Sequence, residues 1–224
     1  MAAPATRVPT TMTSYSDICH LRTGAYGRCH TLPYGLVERK RRLTAADWAR
    51  AALDAIGEQG LAGVAVEPLA VRLGATKGSF YWHFANRDAL LSAALAVWDE
   101  THTEGIIRAV QAEPDPAARL RSLFVGVTAS PLAPIEVNLL AVADHPLVAP
   151  TMRRAVARRI AYVTSLFAAL GFAPDEAARR GVLAYSAYLG HVQLVVRMRD
   201  ALPPRGPELD AYLDSVLTAL STRP

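Results

Sequence analysis

The chain has 224 residues, is 51% hydrophobic and 20% charged, and carries a formal net charge of +4. That length holds one or two domains with a sizeable core. No apolar run reaches the ~18 residues of a membrane-spanning helix, and the N-terminus lacks the apolar region of a secretory signal. An abundance of Ala, Leu, Arg and Val, with little alternation at period two, favours an all-α fold.

Residues 1–36 mix Pro, Thr, Ser, Gly and Tyr without a helical period and read as a disordered tail. Both cysteines lie there, as Cys19-His20 and Cys29-His30. Neighbouring residues rarely turn to one metal and the C-x-x-C spacing is absent, so neither a metal site nor a disulfide framework is expected. This suits a reducing, cytoplasmic setting. Residues 1–42 hold seven basic and two acidic side chains, a net of +5, so the rest of the chain sums to −1. The basic arm Arg39, Lys40, Arg41 and Arg42 directly precedes the first helix. It reads equally as a phosphate or minor-groove contact and as a solvated charge run.

Nine helices follow from apolar periodicity and end signals. The first runs from about 44 to 59, with Thr44 as cap and Gly60 as stop. Two short helices come next, about 66–73 and 76–83, with Gly74 in the turn and Thr76 as cap. A long helix starts at Asn86 and runs to about 111. Helices are then expected near 115–129, 134–144, 146–170, 174–199 and 207–221, punctuated by prolines and by Gly171. Two helices joined by a short glycine turn form a helix-turn-helix, whose second helix enters the DNA major groove.

The second helix is too short to bury all of Phe80, Tyr81, Trp82, His83 and Phe84. Phe80 and Phe84 share one face and belong to the core. Tyr81 and His83 can donate to phosphate oxygens, and Lys77 and Ser79 can reach base edges. Arg87, at the next helix start, stands at a natural phosphate site.

Leu69, Ala70, Gly74, Ala75, Thr76, Gly78, Phe80, Tyr81, His83, Phe84, Arg87 and Leu90 resemble, at fixed spacing, the motif of the TetR/AcrR family of transcriptional repressors. The resemblance covers residues 43–91 closely. Ala75 departs from the usual valine. Val66 departs from the usual capping threonine, which should let that helix start fray by a cap worth ~1 kcal/mol. The resemblance implies that Tyr81, His83 and Arg87 contact phosphates and that Lys77, Gly78, Ser79 and Trp82 face the groove. It further implies a homodimeric, ligand-responsive regulator, a repressor at a near-palindromic operator, released by a small apolar molecule. The resulting division is a tail over 1–36, a DNA-binding domain over 37–91 and a helical ligand-binding and dimerisation domain over 92–224.

In that larger domain the helix near 174–199 is apolar on two faces. Gly181, Ala184, Tyr188, His191 and Val195 form one face, and Val182, Tyr185, Leu189, Val192 and Val196 the other. A helix apolar on two faces must bury both, so one is expected to meet a second copy. A ligand pocket between bundle helices is expected to draw on Trp98, His102, Phe124, Asn138, Tyr162 and Tyr185. No cofactor is implied. Phosphate-loop, dinucleotide, zinc-protease and serine-hydrolase motifs are all missing, which argues against an enzyme. The competing class is an all-α small-molecule-binding protein whose helix-turn-helix is merely structural.

Overall fold

A computed structural model describes residues 42–130 and 133–223. The tail, with both cysteines, and Arg39, Lys40 and Arg41 lie outside the described residues. Nine helices and no strand are found among the described residues.

The first helix, α1, spans Ala45–Gln59. A capping box starts it: the Asp47 N–H donates to Thr44 Oγ1 at 3.3 Å, and the Thr44 N–H donates to Asp47 Oδ2 at 2.8 Å. Gly60 ends it in the left-handed region, at a φ of 67°. A 3-10 turn, Gly60–Gly63, leads to α2, Val66–Arg72, and α3, Lys77–Tyr81. No side chain caps α2, and its N-cap is Ala65, one residue before the Val66 expected to leave the cap empty. Thr76 caps α3, accepting the Ser79 N–H at 3.2 Å. Trp48 meets the edge of Phe80 at 5.4 Å between ring centres, and Phe80 stacks on Phe84 at 5.6 Å. These rings fix the angle of α3 against α1.

The long helix α4 covers 87–111 in three parts. An α-helical stretch, Arg87–Asp99, passes through a π turn, Glu100–Glu104, into Gly105–Gln111. The Gly105 N–H bonds the Glu100 carbonyl, the i to i+5 pattern of a π turn. A Cβ at position 105 would stand 3.1 Å from that oxygen, so glycine suits the site. The bundle continues with α5 (Pro116–Thr128), α6 (Ala133–Leu140), α7 (Ala149–Ala169), α8 (Pro174–Arg197) and α9 (Pro207–Ser221). Residues 141–148 form turns, so α6 ends earlier and α7 begins later than periodicity suggests.

Two cores result. The first joins Trp48, Ile56, Phe80, Leu90 and Trp98 to Ile135, Leu139, Val148 and Met152 of the later helices and turns. The helix-turn-helix head therefore shares its core with α6 and α7. The second gathers Ile107, Phe124, Phe167, Leu213 and Leu217.

The expected faces of α8 need correction. Gly181 and Ala184 are buried within the chain, not held open for a second copy. A Cβ on Gly181 would meet Thr164 Oγ1 of α7 at 2.1 Å. Tyr185 and Val192, assigned to the other face, are buried as well. What α8 leaves outside includes Val182 and Leu183, each about half exposed. No single helix among the described residues is long and apolar enough to cross a membrane.

Candidate DNA-binding surface and ligand cavity

The outer side of α3 carries the polar and aromatic groups the motif calls for. Lys77, Gly78, Tyr81 and Trp82 are exposed, and Ser79 and His83 are half-buried. Trp82 is 83% exposed, an extreme value for the largest side chain. Tyr81 is held edge-on by Phe80, at 5.1 Å between ring centres. Lys77 forms an ion pair with Glu67 of α2. Each group favours the other's charge, raising Lys77 and lowering Glu67 through the hydrogen bond first. Gly78 has open space beside it, with Thr76 Oγ1 the nearest atom to a Cβ at 3.7 Å. Arg42, the described member of the basic arm, is exposed.

Arg87 departs from expectation. Its Nε donates to the Val64 carbonyl and its Nη2 to the Leu61 carbonyl, both at 2.6 Å. The remaining Nη1 lies 3.8 Å from Asp88. The guanidinium thus ties the start of α4 to the end of the 3-10 turn, while its Nη1 stays toward the surface.

A narrow cavity of about 60 Å³ lies between α4, α5, α7 and α8. Its walls are mostly apolar, with Ile106, Ile107, Leu120, Leu123, Phe124, Val127, Val163 and Ala184. The polar lining is His102, Thr103, Arg159, Tyr162, Tyr185 and Tyr188. His102 Nδ1 sits 2.7 Å from Thr101 Oγ1 and 3.0 Å from the Trp98 carbonyl; because the Thr101 hydroxyl already donates to the Val97 carbonyl at 2.6 Å, a proton on Nδ1 suits both contacts and leaves a lone pair on Nε2. Burial pushes the His102 pKa down, the bond to Trp98 opposes this, and the Arg159 charge adds to the depression. The ring is accordingly neutral at neutral pH.

Arg159 is the centre of the polar side. It donates to Thr103 Oγ1 at 3.0 Å, to Glu136 Oε1 at 2.8 Å and to the His102 carbonyl at 3.3 Å. Its guanidinium also lies over the Trp98 ring, 4.9 Å from the ring centre. Glu136, on α6, is 3% exposed. Burial opposes the Arg159 charge, but Glu136 more than offsets it and raises the pKa. Burial pushes the Tyr185 hydroxyl up to about 12, and Tyr188 higher still.

Residues 49–94 match the family described as bacterial regulatory proteins, tetR family. That match takes in α2, α3 and most of α1, so the likeness to this family lies in the helix-turn-helix head. Over 61 residues it is 48% identical to the class A tetracycline repressor from transposon 1721 of Escherichia coli, covering 27% of this chain. The match spans 28% of that repressor's length. The whole fold is similar to a transcriptional regulator from Rhodococcus sp. Rha1, at a TM-score of 0.68 and 21% identity, covering 81% of this chain and all of that one. Salmonella enterica GusR gives a TM-score of 0.61 at 19% identity, covering 83% of this chain and 97% of that one. The multidrug binding protein EbrR complexed with malachite green gives 0.55 at 22% identity, covering 82% and 98%.

In this bundle, four of the six expected pocket residues line one cavity: His102, Phe124, Tyr162 and Tyr185. Two do not. Trp98 is fully buried in the first core, behind His102, whose ring stacks on it at 6.2 Å. Asn138 instead donates to the Ile56 and Gly57 carbonyls near the end of α1, at 2.8 and 3.1 Å, and so fastens α6 to the head. The sequence reading missed Arg159 and Glu136. A signal was there: Arg159 interrupts the stripe Met152, Ala155, Tyr162 and Leu166, and Glu136 sits between Ile135 and Val137. A charge inside an apolar stripe must find an opposite charge.

Proposed function

We propose that the protein is a transcriptional regulator that binds a near-palindromic double-stranded operator as a homodimer. A small molecule entering the cavity releases it, so it acts as a repressor. In this reading residues 37–91 form the DNA-binding head, residues 92–224 the effector and dimerisation bundle, and the protein works in the cytoplasm. The observation that carries it is the outer side of α3, where Lys77, Tyr81 and Trp82 stand exposed on a helix-turn-helix. Lys77 and Ser79 read base edges, Gly78 and Trp82 face the groove, and Tyr81 and His83 hold phosphates. Arg39, Lys40, Arg41 and Arg42 add sequence-independent affinity.

The likeness to the tetracycline repressor over the head supports the DNA-binding half. EbrR, a protein of the same fold, binds malachite green, so this architecture houses a small molecule. The half-exposed Val182 and Leu183 on α8 are the apolar surface a second copy would cover. Sedimentation at micromolar concentration tests the dimer, and retention on double-stranded DNA with salt elution tests the head. A dimer that elutes at raised salt is expected. A monomer, or a protein that flows through at low salt, would contradict the reading.

A further inference from the structure

The cavity's chemistry narrows its ligand, on the reading above that this cavity is the effector site. We infer that it takes a neutral, single-ring apolar molecule carrying one group that both donates and accepts hydrogen bonds, such as an alkylphenol, and that it rejects organic ions.

Two lining residues end in polar atoms that are buried and lack a hydrogen-bond partner, His102 Nε2 and the Tyr162 hydroxyl; the Tyr185 hydroxyl beside them has no partner at normal hydrogen-bond geometry and feels only the nearby Arg159 guanidinium. Tyr162 and Tyr185 are each 7% exposed. Buried polar atoms in folded proteins are nearly always satisfied, and of the six without a partner among the described residues three belong to residues that line this one cavity, a concentration that points to a ligand. Their chemistry is specific. His102 Nε2 accepts, because its ring proton is spent on the Trp98 carbonyl. The two phenols donate or accept. A ligand hydroxyl donates to the imidazole and accepts from a tyrosine at once. An ether or a bare hydrocarbon leaves at least one of these groups unpaired.

The charges in the wall exclude ions. Arg159 lines the cavity, but all three of its nitrogens are engaged, with Thr103, Glu136 and the His102 carbonyl. Its charge is matched by Glu136, so an organic anion meets no unpaired cation. An organic cation would enter beside the guanidinium, while Glu136 is not among the lining residues. In either case a charge leaves water without compensation. Size sets the last limit. A cavity of about 60 Å³ admits roughly four to six water centres, which suits one ring with a short tail and not a fused dye.

Calorimetric titration of the full chain with four matched probes tests this: 4-ethylphenol, 4-ethyltoluene, 4-ethylbenzoate and 4-ethylbenzylamine. 4-Ethylphenol should bind at least tenfold more tightly than each of the others. The double variant Tyr162→Phe/Tyr185→Phe keeps both rings, so it should still bind 4-ethyltoluene but lose most of the preference for the phenol. His102→Phe gives the same comparison should the double variant fail to fold. Equal affinity for 4-ethylphenol and 4-ethyltoluene, tighter binding of either ion, or no binding of any probe overturns the inference. DNA affinity measured on the same complexes separates the two readings. A phenol that binds with these preferences and never alters DNA affinity leaves the ligand assignment standing and overturns the regulatory one.

Discussion

Arg87 and Lys77 place the same charge in opposite settings on two neighbouring helices. Arg87 donates twice to backbone carbonyls at 2.6 Å from a part-buried position. Such charge-assisted bonds contribute ~1.5–3 kcal/mol. Arg87→Ala should therefore cost about 2 kcal/mol and lower the melting temperature by several degrees. Lys77 pairs with Glu67 on the surface, where ion pairs contribute little. Lys77→Ala should leave the melting temperature unchanged while relaxing base preference on DNA. A scanning-calorimetry ranking with Lys77→Ala below Arg87→Ala would refute this division. The imidazoles make a second prediction at this scale. His102 and His191 both have pKa values lowered from 6.5, chiefly by burial. The unfolded chain then takes up protons below pH ~6.5 that the folded chain refuses, so stability is full above that pH and declines below it. Melting temperature should fall between pH 6.5 and 5.5, and His102→Phe should shrink the fall. A flat profile over that interval would count against neutral, buried imidazoles.

At the scale of elements, the helices were legible and their partners were not. Caps at Thr44, Thr76 and Asn86 and left-handed glycines at 60, 74 and 171 sit where residue chemistry puts them. The π turn was not legible, because its extra residue looks like ordinary helix in the sequence. Trp98 just before it belongs to the first core, and His102 within it lines the cavity. An aromatic at helical spacing reads the same whether it forms a wall or lies behind one. Asn138 was misplaced for a related reason: its partners, the Ile56 and Gly57 carbonyls, are some eighty residues away. The pair Arg159 and Glu136 joins α7 to α6 in the same long-range way, with side chains 11% and 4% exposed. Glu136→Leu would strand a buried cation and should cost ~3–5 kcal/mol. Adding Arg159→Met should recover most of that loss, since an apolar pair of similar volume needs no compensation. Chemical denaturation of the single and double variants checks this, and a double variant no more stable than the single would disprove it.

Across the whole molecule, two features connect the head to the cavity. Continuous α4 carries Arg87 at the head and His102 in the cavity wall. On α6, Asn138 is fastened to α1 while Glu136 holds the Arg159 that lines the cavity. On the proposed function, a ligand that moved Arg159 or His102 would pull on both links to the head that carries α3. To turn a mostly bound population into a mostly free one, it must favour the released shape by ~5 kcal/mol. The central claim, that paired α3 helices read a symmetric operator, is tested most directly by selection. The full chain is used to enrich duplexes from a random pool, and the enriched duplexes are sequenced. The account predicts a near-palindrome with half-sites about one helical turn apart, ~34–36 Å between their centres, and loss of that enrichment with Lys77→Ala. A pool that stays random, or one enriched in a single unpaired half-site, would contradict it.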